Sequence, residues 1–125
     1  MKQVIRSDKV PAPALPFSPG LVVGDFIFLS GQGGFDPATG ALIGDGVEAQ
    51  TEQTFRNIEA LLEAAGASLD DVVSCLVHLA DLGDFAAFNA VYETQFPGVK
   101  PVRTTVRADL VAEMRVEITV VAMSN

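Results

Sequence analysis

The segment DVVSCLVHLA, residues 71–80, constrains the fold more than any other stretch. Val73, Cys75, Val77 and Leu79 form one alternating set; Val72, Leu76 and Ala80 form most of the other. Successive strand residues point to opposite faces of a sheet, so a strand apolar in both sets is covered on both sides. The covering layers must come from the rest of the chain or from another chain.

The chain offers two helices for this purpose. From Val47, apolar or small residues recur as Val47, Thr51, Phe55, Ile58 and Leu62, spaced four, four, three and four apart, which is one helical stripe. Glu48 and Glu52 lie in its first turns, where the helix dipole favours anions, and Gly66 follows as a C-terminal cap. A second, shorter helix begins near Asp84 as N-cap, carries Phe85, Phe88 and Tyr92 along one side, and closes at Pro97-Gly98. The remaining periodic segments are strands. Residues 21–31 read as two strands joined by a Gly24-Asp25 turn, and the last two strands span 101–108 and 115–122. PAPALPFSPG (11–20) is an extended Pro-rich connector, and FDPATGALIGDG (35–46) is turn chemistry throughout.

The resulting order, β-β-α-β-α-β-β, is an α+β fold: a mixed sheet with two helices on one face. Val116, Ile118 and Val120 should pack on the helices, with Arg115, Glu117, Thr119 and Val121 facing away. If the last two strands pair, Arg103 and Thr105 face away as well. Phe26 and Phe28 alternate with Ile27 and Leu29, so the face without helices is also apolar. That predicts a homo-oligomer with this second face at the interface.

Composition excludes several classes. The chain has 125 residues, enough for one domain, with 16 acidic and 8 basic side chains. The few bases are dispersed and the pI is near 4.4, so no nucleic-acid partner is expected. No apolar run reaches the roughly 20 residues of a membrane helix, and the N-terminus lacks the apolar core of a signal peptide. With one cysteine, Cys75, the expectation is a cytoplasmic protein without a membrane partner. One His and one Cys cannot close a zinc site.

Arg103, in PVRTTV, and Glu117 are the most suggestive residues. A strand arginine can bind a carboxylate through two parallel N–H bonds, and a nearby glutamate can position water. On the residues alone, a cross-strand or intersubunit salt bridge is the simpler reading. SGQGG (30–34) reads as a strand end with a bulge rather than an anion-binding nest, and His78 reads as structural. Cys75, Phe85, Phe88 and Tyr92 read as core, whereas Asn89 is a polar residue mid-helix that can face a cleft.

Six ordered blocks, FLSGQ (28–32), DPATG (36–40), EAQTEQTFRNIEALLEAAGASLDDVV (48–73), DFAAFNAVYETQFPG (84–98), PVRTTV (101–106) and VEITVVA (116–122), resemble the RidA/YjgF family of reactive-intermediate deaminases. The family is also labelled endoribonuclease L-PSP or translation initiation inhibitor. The resemblance implies one RidA-like domain over residues 1–125, a chorismate-mutase-like fold and a homotrimer with active sites between subunits. It implies hydrolysis of 2-imino and enamine acids, such as 2-aminoacrylate and 2-iminobutanoate, to 2-keto acids and ammonia without a cofactor. It gives Arg103 the substrate carboxylate and Glu117 the hydrolytic water, with Phe17, Ser30, Gly31, Asn89 and Thr105 as substrate-binding positions. Phe17 stands where the family usually carries Tyr, Thr105 where a cysteine is common, and Gly33 and Gly34 where residues are larger. These departures bear on which imine is taken; the retained Arg103 supports carboxylate binding. A non-catalytic carboxylate-binding or chaperone-like trimer is the alternative, with an RNA-cleaving translation inhibitor behind it.

Overall fold

The computed structural model describes residues 1–11, 13–44 and 46–124. The Gly24-Asp25 turn closes a hairpin between β2 (Gly20–Val23) and β3 (Phe26–Leu29), with Val23 opposite Phe26. A two-residue strand that the sequence did not announce, β1 (Gln3–Val4), pairs with β2 and brings Ile5 into the core. The chain then runs through α1 (Val47–Ala64), β4 (Val72–Leu79), α2 (Phe85–Gln95), β5 (Val102–Arg107) and β6 (Val116–Met123). One mixed sheet results, ordered β1-β2-β3-β6-β4-β5, and both helices cover the same face.

The expected apolar stripe of α1 is buried throughout, from Val47 to Leu62. The helix ends as its sequence suggests: Gly66, at φ +79°, donates to Glu63 O (3.0 Å) while Ala67 donates to Leu62 O (2.9 Å). The start of α2 departs from expectation. Asp81 caps a 3₁₀ turn at Leu82–Asp84 by accepting from the Gly83 N–H, whereas the Asp84 side chain makes no capping bond. Its carboxylate instead accepts from Arg115 Nη1 at 3.1 Å.

Beside the apolar stripe runs a second buried row on α1: Gln50, Thr54, Asn57 and Leu61. Asn57 Nδ2 donates to Gly33 O (3.1 Å) and Phe35 O (2.9 Å), and Gln50 Oε1 accepts from Arg115 N–H (2.9 Å). Helix α1 thus supplies hydrogen bonds both to the turn after β3, through Asn57, and to the backbone entering β6, through Gln50. Gly34 lies so close to α1 that a Cβ there would fall 2.7 Å from Gln50 Cα.

The pairing of β5 overturns one expectation. This strand does not lie beside β6; it pairs in parallel with β4, on the far edge of the sheet. The reason is topological. The segment between β4 and β5 is a helix, and a helix crossing over a sheet returns the chain parallel to the strand it left. In that register Arg103 lies opposite Cys75 and Thr105 opposite Val77, both core residues. Arg103 and Thr105 therefore face α2, while Glu117, opposite His78 on β6, faces away.

The helix-free face carries exposed apolar side chains: Phe26 and Phe28, each 45% exposed, Met123 opposite Phe26, and Leu76 and Val106 further across the sheet.

Replacing Asn57 by Ala leaves the Gly33 and Phe35 carbonyls without their donor. It should lower unfolding free energy by about 1–3 kcal/mol, measured by urea denaturation. An unchanged midpoint would show that this side chain does not hold the turn.

Candidate active site

Arg103 extends from the edge strand beneath α2. Phe85, Phe88, Asn89 and Tyr92 lie at the i, i+3, i+4 and i+7 positions of that helix, and so on one side of it. The Arg103 Nη1 donates to Asn89 Oδ1 at 2.7 Å. Its guanidinium carbon lies 4.7 Å from the Tyr92 ring centroid and 5.6 Å from those of Phe85 and Phe88. Aromatic faces attract a cation without neutralising it. Among the described residues no carboxylate pairs with Arg103, so the salt bridge to Glu117 does not form within the chain. A half-buried charge with one neutral partner retains donors for an incoming carboxylate.

Thr105 shares this face, two residues along β5, and its buried Oγ1 has no hydrogen-bond partner. Beneath the cluster, burial raises the Cys75 thiol pKa, opposed by the Tyr92 hydroxyl and the Arg103 charge. Burial also raises the Tyr92 phenol, assisted by its contact with Cys75. Both groups stay protonated at neutral pH, so Cys75 is no nucleophile. The core reading holds for Phe88 and Tyr92 but not for Phe85, which is 40% exposed at the start of the helix, and it omitted the role of all three rings as a seat for Arg103. Their spacing with Asn89 was the available signal.

Glu117 belongs to a second cluster. A Cβ on Gly31 would fall 2.8 Å from Glu117 Cδ, so glycine there lets the carboxyl lie against the backbone. Phe17, Gly31 and Glu117 line one cavity of about 280 Å³ with Val111 and Met114. Ser30 and Phe17 line an adjoining hollow, and the Ser30 hydroxyl donates to Ser18 O at 2.6 Å, tying the Pro-rich connector to the sheet. The glycine segment proves to be a bulged strand end. Phe28 pairs with Val121 and Gln32 with Ile118, four steps against three, which leaves one extra residue.

The seven candidate residues thus fall into two groups on different sides of the sheet. Arg103, Asn89 and Thr105 lie under α2; Phe17, Ser30, Gly31 and Glu117 surround the turn after β3. The structure brings each group together within one chain, but not the two groups to one another. No cluster of three or more His, Cys, Asp or Glu side chains suited to a metal occurs among the described residues.

If Asn89 and Tyr92 orient Arg103, Asn89→Ala and Tyr92→Leu should each weaken 2-oxobutanoate binding by about 3- to 30-fold in calorimetric titration. Tyr92→Phe, which keeps the ring, should bind as the wild type does. Stability should also depend on alkaline pH. Protons held more tightly by folded Cys75 and Tyr92 stabilise the native state fully below the unfolded pKa of Cys, about 8.5, and this is lost as pH rises towards the folded values. In thermal melts from pH 7 to 10.5, Cys75→Ala and Tyr92→Phe should each flatten that decline.

The chain is similar to known proteins along nearly its whole length. The family model described as Endoribonuclease L-PSP matches residues 7–124. A RutC family protein of Saccharolobus solfataricus is 44% identical over the full length of both chains. The 2-iminobutanoate/2-iminopropanoate deaminase of Mus musculus is 38% identical, covering 100% of this chain and 93% of the mouse protein. The crystal structure of RidA from the Antarctic bacterium Psychrobacter sp. PAMC 21119 superposes with a TM-score of 0.92 at 43% identity, over 97% of this chain and 98% of that one. The chain belongs to the RidA/YjgF family, also named endoribonuclease L-PSP.

Proposed function

We propose that the protein is a deaminase of reactive 2-imino and enamine acids. It would hydrolyse substrates of the 2-aminoacrylate and 2-iminobutanoate type to 2-keto acids and ammonia, with no cofactor. The observation that carries this reading is the state of Arg103: half-buried, held by a neutral amide and three rings, and unpaired with any described carboxylate. Such a guanidinium suits a small carboxylate. Relatives named as imine deaminases at 36–38% identity support the reaction class.

The active unit in this proposal is a homotrimer with sites between subunits, because one chain holds the two halves apart. Its helix-free sheet face, with Phe26 and Phe28 exposed, supplies apolar surface for association. Arg103 of one subunit binds the substrate carboxylate, with Asn89 orienting the guanidinium and Thr105 beside it. Glu117 of the neighbour, with Phe17, Ser30 and Gly31 around it, holds a water against the imine carbon. The water oxygen bonds to that carbon and a water proton passes through the carboxylate to nitrogen. The new hydroxyl then passes its proton through the same carboxylate to the amino nitrogen as the carbon–nitrogen bond breaks, releasing ammonia and a 2-keto acid. The imine carbon is already electrophilic, so orientation supplies most of the assistance.

The cytoplasm is the proposed compartment, consistent with the free Cys75. A net charge of −8 weighs against RNA as substrate.

Arg103→Ala and Glu117→Gln should each reduce kcat/KM on threonine-dehydratase-generated imine on the order of 100-fold. Co-refolding the two variants at equal amounts should restore about a quarter of wild-type activity, since one in four interfaces then joins an intact Arg103 to an intact Glu117. No recovery in mixed trimers would place both residues' action within one chain. Binding of 2-oxobutanoate without turnover of any imine would make the protein a carboxylate-binding module.

A further inference from the structure

We propose that Arg107 is a second carboxylate-binding residue, and that the row Arg103, Thr105 and Arg107 on β5 seats dicarboxylic 2-oxo and 2-imino acids. The inference rests on the deaminase reading for its reaction and uses no residue of the cavity beside Glu117. Its site is the end of β5 that lies next to the start of α2. Arg107 closes the segment VRTTVR, and in the parallel register it lies opposite Leu79, as Arg103 lies opposite Cys75 and Thr105 opposite Val77. All three β4 partners belong to the core under the helices, so the three β5 side chains leave the strand on one side. At about 3.3 Å per residue, the Cα atoms of Arg103 and Arg107 stand about 13 Å apart.

The Arg103 arm leans along this row towards Arg107. Helix α2 starts beyond the Leu79 end of β4, whereas β5 starts beside Ser74 at the other end, so the first turn of α2 lies at the Arg107 end of β5. The Arg103 guanidinium carbon lies 5.6 Å from the ring centroid of Phe85, the first residue of that helix. Between the two arginines, the Thr105 Oγ1 is enclosed without a partner, and a hydroxyl can donate to a carboxylate. Among the described residues no ion pair reaches Arg107. The acids at this end of the sheet are engaged, since Asp81 accepts from the Gly83 N–H and Asp84 from Arg115. Two like charges on one strand face repel, and a chain with 16 acidic side chains against 8 basic ones gives neither a counter-ion. A dianionic ligand answers both, with one carboxylate on each planar guanidinium fork.

Calorimetry tests the second seat by comparing 2-oxoglutarate with 2-oxobutanoate. In parallel, the glutamate-derived imine, made in place by an L-glutamate oxidase with catalase, is compared with the threonine-dehydratase imine for hydrolysis against semicarbazide trapping. The wild type should bind 2-oxoglutarate about tenfold or more tightly than 2-oxobutanoate at low salt, because the second carboxylate adds a charge-assisted pair. That margin should shrink at high salt, since Arg107 is exposed. Arg107→Gln should lower 2-oxoglutarate affinity about tenfold while changing 2-oxobutanoate affinity far less, and Arg107→Lys, which keeps the charge without the fork, should fall between. Equal affinity for the two keto acids in the wild type overturns the second seat, as does a preference that survives Arg107→Gln. A preference that depends on Arg107, without turnover of any imine, upholds the seat and overturns the deaminase reading. Turnover of the threonine-derived imine without a dicarboxylate preference does the reverse. Absence of both turnover and binding overturns both.

Discussion

The pleat of β4 governs the placement of Arg103, Thr105 and Glu117. This strand is hydrogen-bonded to β6 on one side and β5 on the other, so both neighbours inherit its alternation. Cys75, Val77 and Leu79 point to the helices and carry Arg103 and Thr105 with them. Leu76 and His78 point away, and Glu117 follows His78. A one-residue slip would exchange the two sets. The apolar core prevents it, because Val116, Ile118 and Val120 would then leave a buried face for an outer one. Core packing thereby fixes which side of the sheet each polar group occupies.

Within that frame the two halves of the candidate site are held differently. Arg103 is set by side chains: an amide and three rings from a single helix face. Glu117 is set by backbone: by the glycine against which its carboxyl lies, by the turn after β3 that Asn57 anchors, and by the Arg115 N–H that Gln50 holds at the entry to β6. Aromatic packing leaves the guanidinium able to accept a counter-ion, whereas an internal carboxylate would have neutralised it. Ion pairs elsewhere make the contrast plain, since Arg115 pairs with Asp84 and Lys9 with Glu63.

The proposed homotrimer would account for the apolar outer face and for the separation of the two candidate groups together. A second copy covering Phe26 and Phe28 would remove large apolar surface from water and could bring a foreign Glu117 towards Arg103. Association and catalysis would then depend on the same sheet face, so changes that weaken one would weaken the other.

Most element types were legible in the chain because periodicity reports burial directly. The α1 stripe, the Gly24-Asp25 hairpin, the Gly66 helix end and the two-sided apolarity of 71–80 all follow from which neighbours avoid water. The short β1 strand was not legible, since two residues show no period. The α1 row of Gln50, Thr54 and Asn57 could have been read from its four-and-three spacing, but polar residues at helical spacing ordinarily mark a solvated face. Arg103 and Glu117 stood out by residue type and strand position, and the sequence blocks gave them roles; neither gave their locations. Strand order is decided by long-range pairing, and local alternation states only that neighbours point oppositely, not which strand lies alongside. By itself the sequence determined the two helices, the longer strands, the apolar faces and the residues capable of chemistry. Only the tertiary structure decided that β5 follows a helical crossover to the far edge of β4, which sets Arg103 beneath α2 and leaves Glu117 on the opposite face.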